Sequence, residues 1–138
     1  MDKKSNNSNW EIRPSKSDTI DLMYINHFAI YTFIGYIYPN KYVLPLSLSV
    51  LWELFEIFLV SYTPIYNKVV NYWVVPEKYW NEHKLHKIFD IIINFSGYFT
   101  GSHLEKYKTK KLDLIVPTIC ISIILTIIVI TNLMGLLE

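Results

Sequence analysis

The sequence predicts an all-α fold, in which about four transmembrane helices form an integral membrane bundle. Apolar residues make up 51% of the chain and aromatic residues 16%, whereas charged residues make up 18%, below the roughly 25% usual for soluble domains. The charges lie mainly at the ends and in the connections, so several apolar stretches approach the roughly 20 residues that a helix needs to cross a bilayer. With 138 residues, the chain is long enough for one such domain.

Residues 1–16 differ in composition from the rest of the chain. They are rich in Asn, Ser and Lys and contain no apolar run of the kind found in a signal peptide. Such a segment cannot bury enough apolar surface to order by itself, so we expect a disordered polar tail. We expect residues 17–138 to form a single transmembrane domain. The net charge of +1 gives no basic footprint for a nucleic acid, and the lone Cys120 excludes a disulfide within the chain.

The first two predicted helices span residues 19–38 and 42–62. The first is rich in aromatic residues, and Pro39 with Asn40 ends it. The second has Pro45 near its start, where a missing backbone N–H costs least. Both segments are long enough to cross a bilayer.

The other two predicted helices span residues 86–103 and 112–137. The last is the most apolar and carries no charge at residues 114–130, whereas the third is short and holds several polar residues. Residues 63–85 mix aromatic rings with Lys and Glu, and we expect Pro64 and Pro76 to break up any helix there. Amphipathic rings settle in the headgroup layer of a membrane, so we expect an interfacial aromatic loop there.

Glu53 and Glu56 lie near the middle of the second predicted helix, where a carboxylate is costly unless it is paired, hydrated or bound to a cation. Their spacing places them about 60° apart on one helix face. Like charges this close repel unless a proton or a cation lies between them. The alternative is a structural pair neutralised by a lysine, but no lysine lies between Lys41 and Lys68. We therefore favour a metal site built from oxygen ligands.

One stripe of the third predicted helix combines polar and small side chains. It carries Asp90, Asn94, Gly97 and Gly101, with His86 one turn earlier. The alternative for Asp90 is an interaction with the helix dipole, and the alternative for the glycines is plain packing against a neighbouring helix. Because an amide lies one turn deeper than the carboxylate, we favour a polar site.

His27 lies in the middle of the first predicted helix, on roughly the same face as Tyr24, Tyr31 and Tyr38. An imidazole in this position can act as a general base near neutral pH. A lone histidine more often has a structural role, in which it donates a hydrogen bond to a carbonyl. Since other helices carry carboxylates, both roles stay open for His27.

The order of these motifs, from residue 27 to residue 104, resembles that of the eukaryotic phosphatidylserine synthases that work by base exchange. In that family a His-Phe pair precedes a helix with S-x-x-x-E-x-x-E. An acidic, tryptophan-rich run follows, and then a helix with D-x-x-x-N-x-x-G-x-x-x-G. The matching residues here are His27, Phe28, Ser49, Glu53, Glu56, Glu77, Trp80, Asp90, Asn94, Gly97 and Gly101.

The chain also departs from this family. Asn81 stands where the family has an acidic residue, and about one helical turn is inserted before Asp90. The family's enzymes are far larger, so the chain corresponds to a minimal core of them. A looser pattern of the same kind is similar to that of the VanZ-like bacterial membrane proteins.

The resemblance to the phosphatidylserine synthases implies calcium-dependent exchange of a phospholipid headgroup. It implies that His27 takes the proton from an incoming alcohol and that Asp90 shares the catalytic role. The substrates would be a membrane phospholipid and serine or a small amino alcohol such as ethanolamine, in the endoplasmic reticulum membrane of a eukaryote. Four helices can barely enclose a site, which favours a homo-oligomer. The calcium ligands would be Glu53, Glu56 and Asp90, together with Glu77 and Asn94.

Two other classes of function stay open. In a non-enzymatic membrane protein, the carboxylates would carry protons or cations through the bundle or hold the basic helix of a partner. In an accessory copy of the larger enzyme, the same residues would bind lipid or cation without turning the lipid over. A measurement of lipid turnover separates these classes from an enzyme.

Overall fold

The computed structural model describes residues 22–72 and 84–136, and side chains for 22–69 and 85–134. Within these ranges the chain forms five helices and no β-strand, which confirms the predicted all-helical class. The predicted tail at 1–16 lies outside the described residues. The helices are α1 (Leu22–Ile37), α2 (Val43–Ser61), α3 (Thr63–Tyr72), α4 (Lys84–Glu105) and α5 (Lys110–Leu136).

Four of these helices match the four predicted from the apolar stretches, and α3 does not. The interpretation of residues 63–85 as a loop is wrong at both ends, because α3 covers 63–72 and α4 begins at Lys84. Pro64 does not break α3, since it lies in the first turn, where a missing N–H leaves no hydrogen bond unmade. Residues 73–83 lie outside the described part of the chain.

Helices α1 and α4 run parallel to each other. His27 near the start of α1 contacts Asn94, and Thr32, further along α1, lies against Gly101. Helix α2 runs antiparallel to α4, because its earlier residue Ser49 contacts Asn94 and its later residue Glu53 approaches Lys87. Helix α4 therefore lies between α1 and α2.

The α1–α4 contact is the most extensive one between the described helices, and three glycines make it possible. A Cβ atom on Gly101 would lie 2.0 Å from the carbonyl oxygen of Thr32, and one on Gly97 would lie 2.6 Å from that of Phe28. From the other side, a Cβ atom on Gly35 would lie 2.1 Å from the carbonyl oxygen of Tyr98. The two backbones touch, as in small-residue packing between membrane helices. Packing against α1 thus accounts for Gly97 and Gly101.

The turn between α1 and α2 is fastened to α4. Asn40 adopts a left-handed backbone conformation with φ of 60°, which asparagine tolerates better than most residues. Its backbone N–H donates to Ser102 Oγ at 3.1 Å, and the N–H of Lys41 donates to the Tyr98 hydroxyl at 2.8 Å. That hydroxyl in turn donates to the carbonyl oxygen of Tyr38 at 2.7 Å. These bonds fix where α2 starts relative to α4.

Helix α5 packs on the outer side of α1. Tyr36 forms a small buried cluster with Val116 and Cys120, and the Tyr36 hydroxyl donates to Asp113 Oδ1 at 2.9 Å. Cys120 is 5% exposed and belongs to this apolar cluster, in line with a packing role.

In the described part of the chain, two helices are long and apolar enough to cross a membrane: α2 over Val43–Ser61 and α5 over Lys110–Met134. Only 28% and 22% of the apolar windows in these helices are buried, whereas the core helix of a soluble protein is mostly buried. Leucines such as Leu54 and Leu125 expose more than half of their surface. An exposed apolar surface of this extent indicates a membrane or a protein partner around α2 and α5. Helix α1 is apolar but has 16 residues.

Replacing Gly101 by leucine should separate α1 from α4, because the added atoms have no room beside Thr32. We expect the free energy of unfolding to fall by about 1–3 kcal/mol or more, as overpacking does elsewhere. The measurement is thermal unfolding of the purified chain in detergent. Thr100→Leu, at an exposed neighbouring position of α4, is the matched control and should change little. Equal stability of the two variants would contradict the close contact.

Candidate functional site

Three helices bring one imidazole and two carboxylates together. His27 comes from α1, Glu53 from α2 and Asp90 from α4, and one ligand atom of each lies within 4.8 Å of the others. Glu53 and Asp90 are each 2% exposed, and His27 is half-buried. We call these three side chains the acid–histidine cluster. Its members were predicted as site residues, and the structure places them in one group.

Asn94 orients the imidazole of His27. The amide nitrogen of Asn94 donates to Ser49 Oγ at 2.7 Å, so its Oδ1 faces Nδ1 of His27 at 3.1 Å. An amide oxygen only accepts hydrogen bonds, so Nδ1 carries the proton of the neutral ring and Nε2 carries the lone pair. Asn94 and Ser49 are 1% and 0% exposed, so water does not compete for these hydrogen bonds, and they hold the imidazole of His27 in one orientation. Nε2 is thus the atom able to accept a proton or to bind a metal.

The carboxylate of Glu53 is buried, with only 2% of the residue exposed. Neither of its oxygens accepts a hydrogen bond from the described residues. Lys87 Nζ lies 3.4 Å from Oε2 and forms an ion pair there, but not a hydrogen bond. A buried carboxylate is costly unless its lone pairs are used, so Glu53 suits a position that a proton or a cation completes.

Glu56 is not a member of the acid–histidine cluster. Its Oε2 contacts Lys87 Nζ, and its Oε1 accepts a hydrogen bond from the Trp52 indole at 2.8 Å. The expectation that no lysine is near this pair is wrong, because it considered only lysines close to Glu56 in the sequence. Lys87 reaches Glu56 from α4 and is 7% exposed. Its position three residues before Asp90, on the same stripe of the helix, was the available signal.

Several charged side chains lie close together in this part of the described chain. Glu53 and Glu56 share the ammonium of Lys87, and Asp90 lies near Glu53. These four side chains, taken by themselves, carry three negative charges and one positive charge. All three acids are at most partly exposed, so water screens them weakly. Acids this close are stabilised by a proton or a cation between them.

The remaining predicted site residues fall elsewhere. Glu77 lies outside the described residues. Gly97 and Gly101 face α1. They allow the two helices to pack closely, and they have no side chain that could supply a ligand atom. His86 lies near Tyr24, with 6.0 Å between ring centroids, and does not belong to the acid–histidine cluster.

A cavity of about 640 Å³ lies toward the other end of α4, away from the acid–histidine cluster. It is lined by residues of the α1–α2 turn and by the last two turns of α4, among them Asn40, Tyr98, Ser102 and His103. This cavity is therefore not the place where the buried acids meet.

Comparison with known proteins yields no relative. No family model matches the chain, and no curated protein or solved structure matches it. The resemblance to the phosphatidylserine synthases and to the VanZ-like proteins therefore depends on motif order and spacing alone.

Replacing Glu53 by glutamine removes the charge of a carboxylate that is 2% exposed and whose oxygens accept no hydrogen bond from the described residues. In the presence of a chelator, we expect Glu53→Gln to raise the free energy of unfolding by roughly 1–3 kcal/mol, because a buried charge without donors destabilises the fold. Thermal unfolding of the purified protein in detergent measures this. Glu105→Gln, at the end of α4, is the matched control. A destabilised Glu53→Gln variant would show instead that the attraction of Lys87 outweighs the burial of the charge.

Proposed function

We propose that the protein is a membrane-embedded, calcium-dependent transferase that exchanges the headgroup of a phospholipid. The observation that carries the proposal is the acid–histidine cluster, in which a half-buried imidazole lies within 4.8 Å of two buried carboxylates. The resemblance of the motifs to the base-exchange phosphatidylserine synthases supplies the reaction class. The substrates are a membrane phospholipid and serine or a small amino alcohol.

The exposed apolar surface supports a position in a lipid bilayer. Helices α2 and α5 are long enough to cross it, and large apolar side chains cover their outer faces. We propose that α1 and α4 cross with them, which gives four spans. Helix α1 is short but apolar, and α4 places its polar stripe against α1 and α2. In a eukaryotic cell, we place the protein in the endoplasmic reticulum membrane.

The acidic side chains of the acid–histidine cluster offer the kind of oxygen ligands that calcium binds. Glu53 has two oxygens without hydrogen-bond donors among the described residues, and a second buried carboxylate, that of Asp90, lies close to it. Calcium prefers carboxylate and amide oxygens, so Glu53 and Asp90 would hold it, and Glu77 from the connection after α3 remains a candidate ligand. When bound, calcium supplies positive charge that offsets these carboxylates and the charge of the lipid phosphate.

His27 performs the proton transfers of this reaction. Its Nε2 accepts the proton of the incoming hydroxyl group, and the hydroxyl oxygen attacks the phosphorus atom. A new P–O bond forms as the P–O bond to the original headgroup alcohol breaks. The departing oxygen then takes the proton back from the imidazolium of His27. One phosphodiester replaces another, so the reaction needs no further reactant. Asn94 keeps Nε2 free of the proton before each cycle.

One observation favours a second candidate, a non-enzymatic membrane protein that binds cations or lipid. Lys87 already neutralises Glu56 and approaches Glu53, as in a structural ion pair between two helices. Such a protein requires the acidic residues but not the proton transfer at His27. The two candidates therefore differ in whether lipid is turned over and in whether His27 is needed.

Headgroup exchange in proteoliposomes tests the proposal. The purified chain is reconstituted with phosphatidylcholine or phosphatidylethanolamine and given labelled serine or ethanolamine, with calcium or with a chelator. We expect calcium-dependent label in the lipid, and loss of that label in His27→Ala, with the variant still inserted. Full activity of His27→Ala would remove the mechanism. No label with any acceptor, combined with calcium binding that depends on Glu53, would support the non-enzymatic candidate.

Asn94 should act on the reaction through His27. We expect Asn94→Ala to lower kcat about 10- to 100-fold, as the loss of an orienting partner does at metal sites, with a smaller change in KM. The same exchange assay measures both constants. Ser96→Ala is the matched control, because Ser96 is exposed on α4 and its hydroxyl donates to the carbonyl oxygen of Ile92 within its own helix. An unchanged kcat in Asn94→Ala would show that His27 needs no orientation.

A further inference from the structure

The ammonium of Lys87 lies beside the buried carboxylate that we propose as a calcium ligand. It contacts Oε2 of Glu56 and lies 3.4 Å from Oε2 of Glu53, the acid whose oxygens lack hydrogen-bond donors among the described residues. Lys87 also lies three residues before Asp90, so one face of α4 presents both an ammonium and a carboxylate to α2. Glu53 is thus both a member of the acid–histidine cluster and an ion-pair partner of Lys87.

We infer that Lys87 is a tethered counter-ion that competes with calcium for Glu53, and that Glu56 is a positioning residue that acts by holding Lys87. The inference rests on the proposed function, in that the acid–histidine cluster must bind a divalent cation. It changes the predicted role of Glu56, which becomes a partner of the lysine instead of a calcium ligand. It also gives the protein a way to keep the buried acids partly neutral before calcium arrives.

The geometry distinguishes the contact of Lys87 with Glu53 from its contact with Glu56. The contact with Glu56 is the closer one, whereas the ion pair with Glu53 lacks the geometry of a hydrogen bond. Nζ can therefore withdraw from Glu53 and keep its bond to Glu56. A cation held by Glu53 and Asp90 would repel Nζ and so favour its withdrawal from Glu53.

A hydrogen bond from Trp52 helps to hold the Glu56 carboxylate in place while Lys87 moves. Its indole N–H donates to Oε1 of Glu56 at 2.8 Å, from one turn earlier on α2, so the other oxygen stays directed to Lys87. The lysine is 7% exposed and cannot turn into water without losing this contact. A charge that remains buried beside the cation site lowers the affinity of that site for any cation.

Calcium binding by four forms of the full chain tests the inference: the wild type, Lys87→Met, Glu56→Gln and the double variant. Binding is measured by titration calorimetry in detergent, together with the calcium-induced rise in Tm. We expect Lys87→Met to bind calcium at least about tenfold more tightly, because one competing charge is gone. We expect Glu56→Gln to bind about tenfold more weakly, since Lys87 is then left with Glu53.

The double variant identifies how Glu56 acts. If Glu56 acts only by holding Lys87, Glu56→Gln has no further effect once the lysine is gone, and the double variant binds calcium like Lys87→Met. A weakening by Glu56→Gln that persists in the Lys87→Met background would show that Glu56 is a direct ligand and would overturn the inference. Lys108→Met, which removes an exposed lysine paired with Asp113, is the matched control and should leave calcium affinity unchanged.

Other outcomes separate the inference from the proposed function. Equal or weaker binding by Lys87→Met, with lipid exchange intact in the wild type, would overturn the inference alone. Tighter binding by Lys87→Met, with no lipid exchange in any form, would support the inference and overturn the enzyme. No calcium binding by any of the four forms would overturn both. If Lys87→Met cannot be purified folded, Lys87→Gln, which keeps a donor for Glu56, should show the same gain in affinity.

Discussion

The direct contact between the backbones of α1 and α4 is the constraint on which the rest of the structure depends. Glycines at the contact let the two helices approach until carbonyl oxygens fill the space where a Cβ atom would be. At that distance, the short side chain of Asn94 can reach the ring of His27. The same residue reaches Ser49 on the other side, so one amide joins three helices. With bulkier residues in place of the glycines, His27 would stand apart from the acids.

A second feature is the burial of Glu53. Proteins usually bury a carboxylate with a partner or with several donors, because the charge is otherwise strongly destabilising. Here Glu53 and Glu56 of α2 share one lysine from α4, and neither oxygen of Glu53 accepts a hydrogen bond from the described residues. Asp90, also from α4, lies close to Glu53. In the bilayer setting that we propose, such acids are costly to the fold and typical of functional positions.

The sequence predicted the helices better than their arrangement. Apolar stretches located α1, α2, α4 and α5, and the high cost of placing polar groups within apolar helices singled out His27, Glu53 and Asp90. Helix α3 was missed because a proline at its start was taken as a break. The partnership of Lys87 with Glu56 was missed for a different reason. Periodicity shows which residues share a face of one helix, but the partner of a charge often belongs to another helix, and only the packing identifies it.

The parallel pairing of α1 with α4 also determines the order in which the protein can be built. A ribosome releases α1 first, but α4, whose Gly97 and Gly101 pack against it, is made only after α2 and α3. Until then, α1 lacks the helix with which its backbone makes direct contact, and Glu53 and Glu56 of α2 lack Lys87. The arrival of α4 supplies two glycines, the amide, the lysine and the aspartate in a single element. The site is therefore complete only when α4 joins α1 and α2.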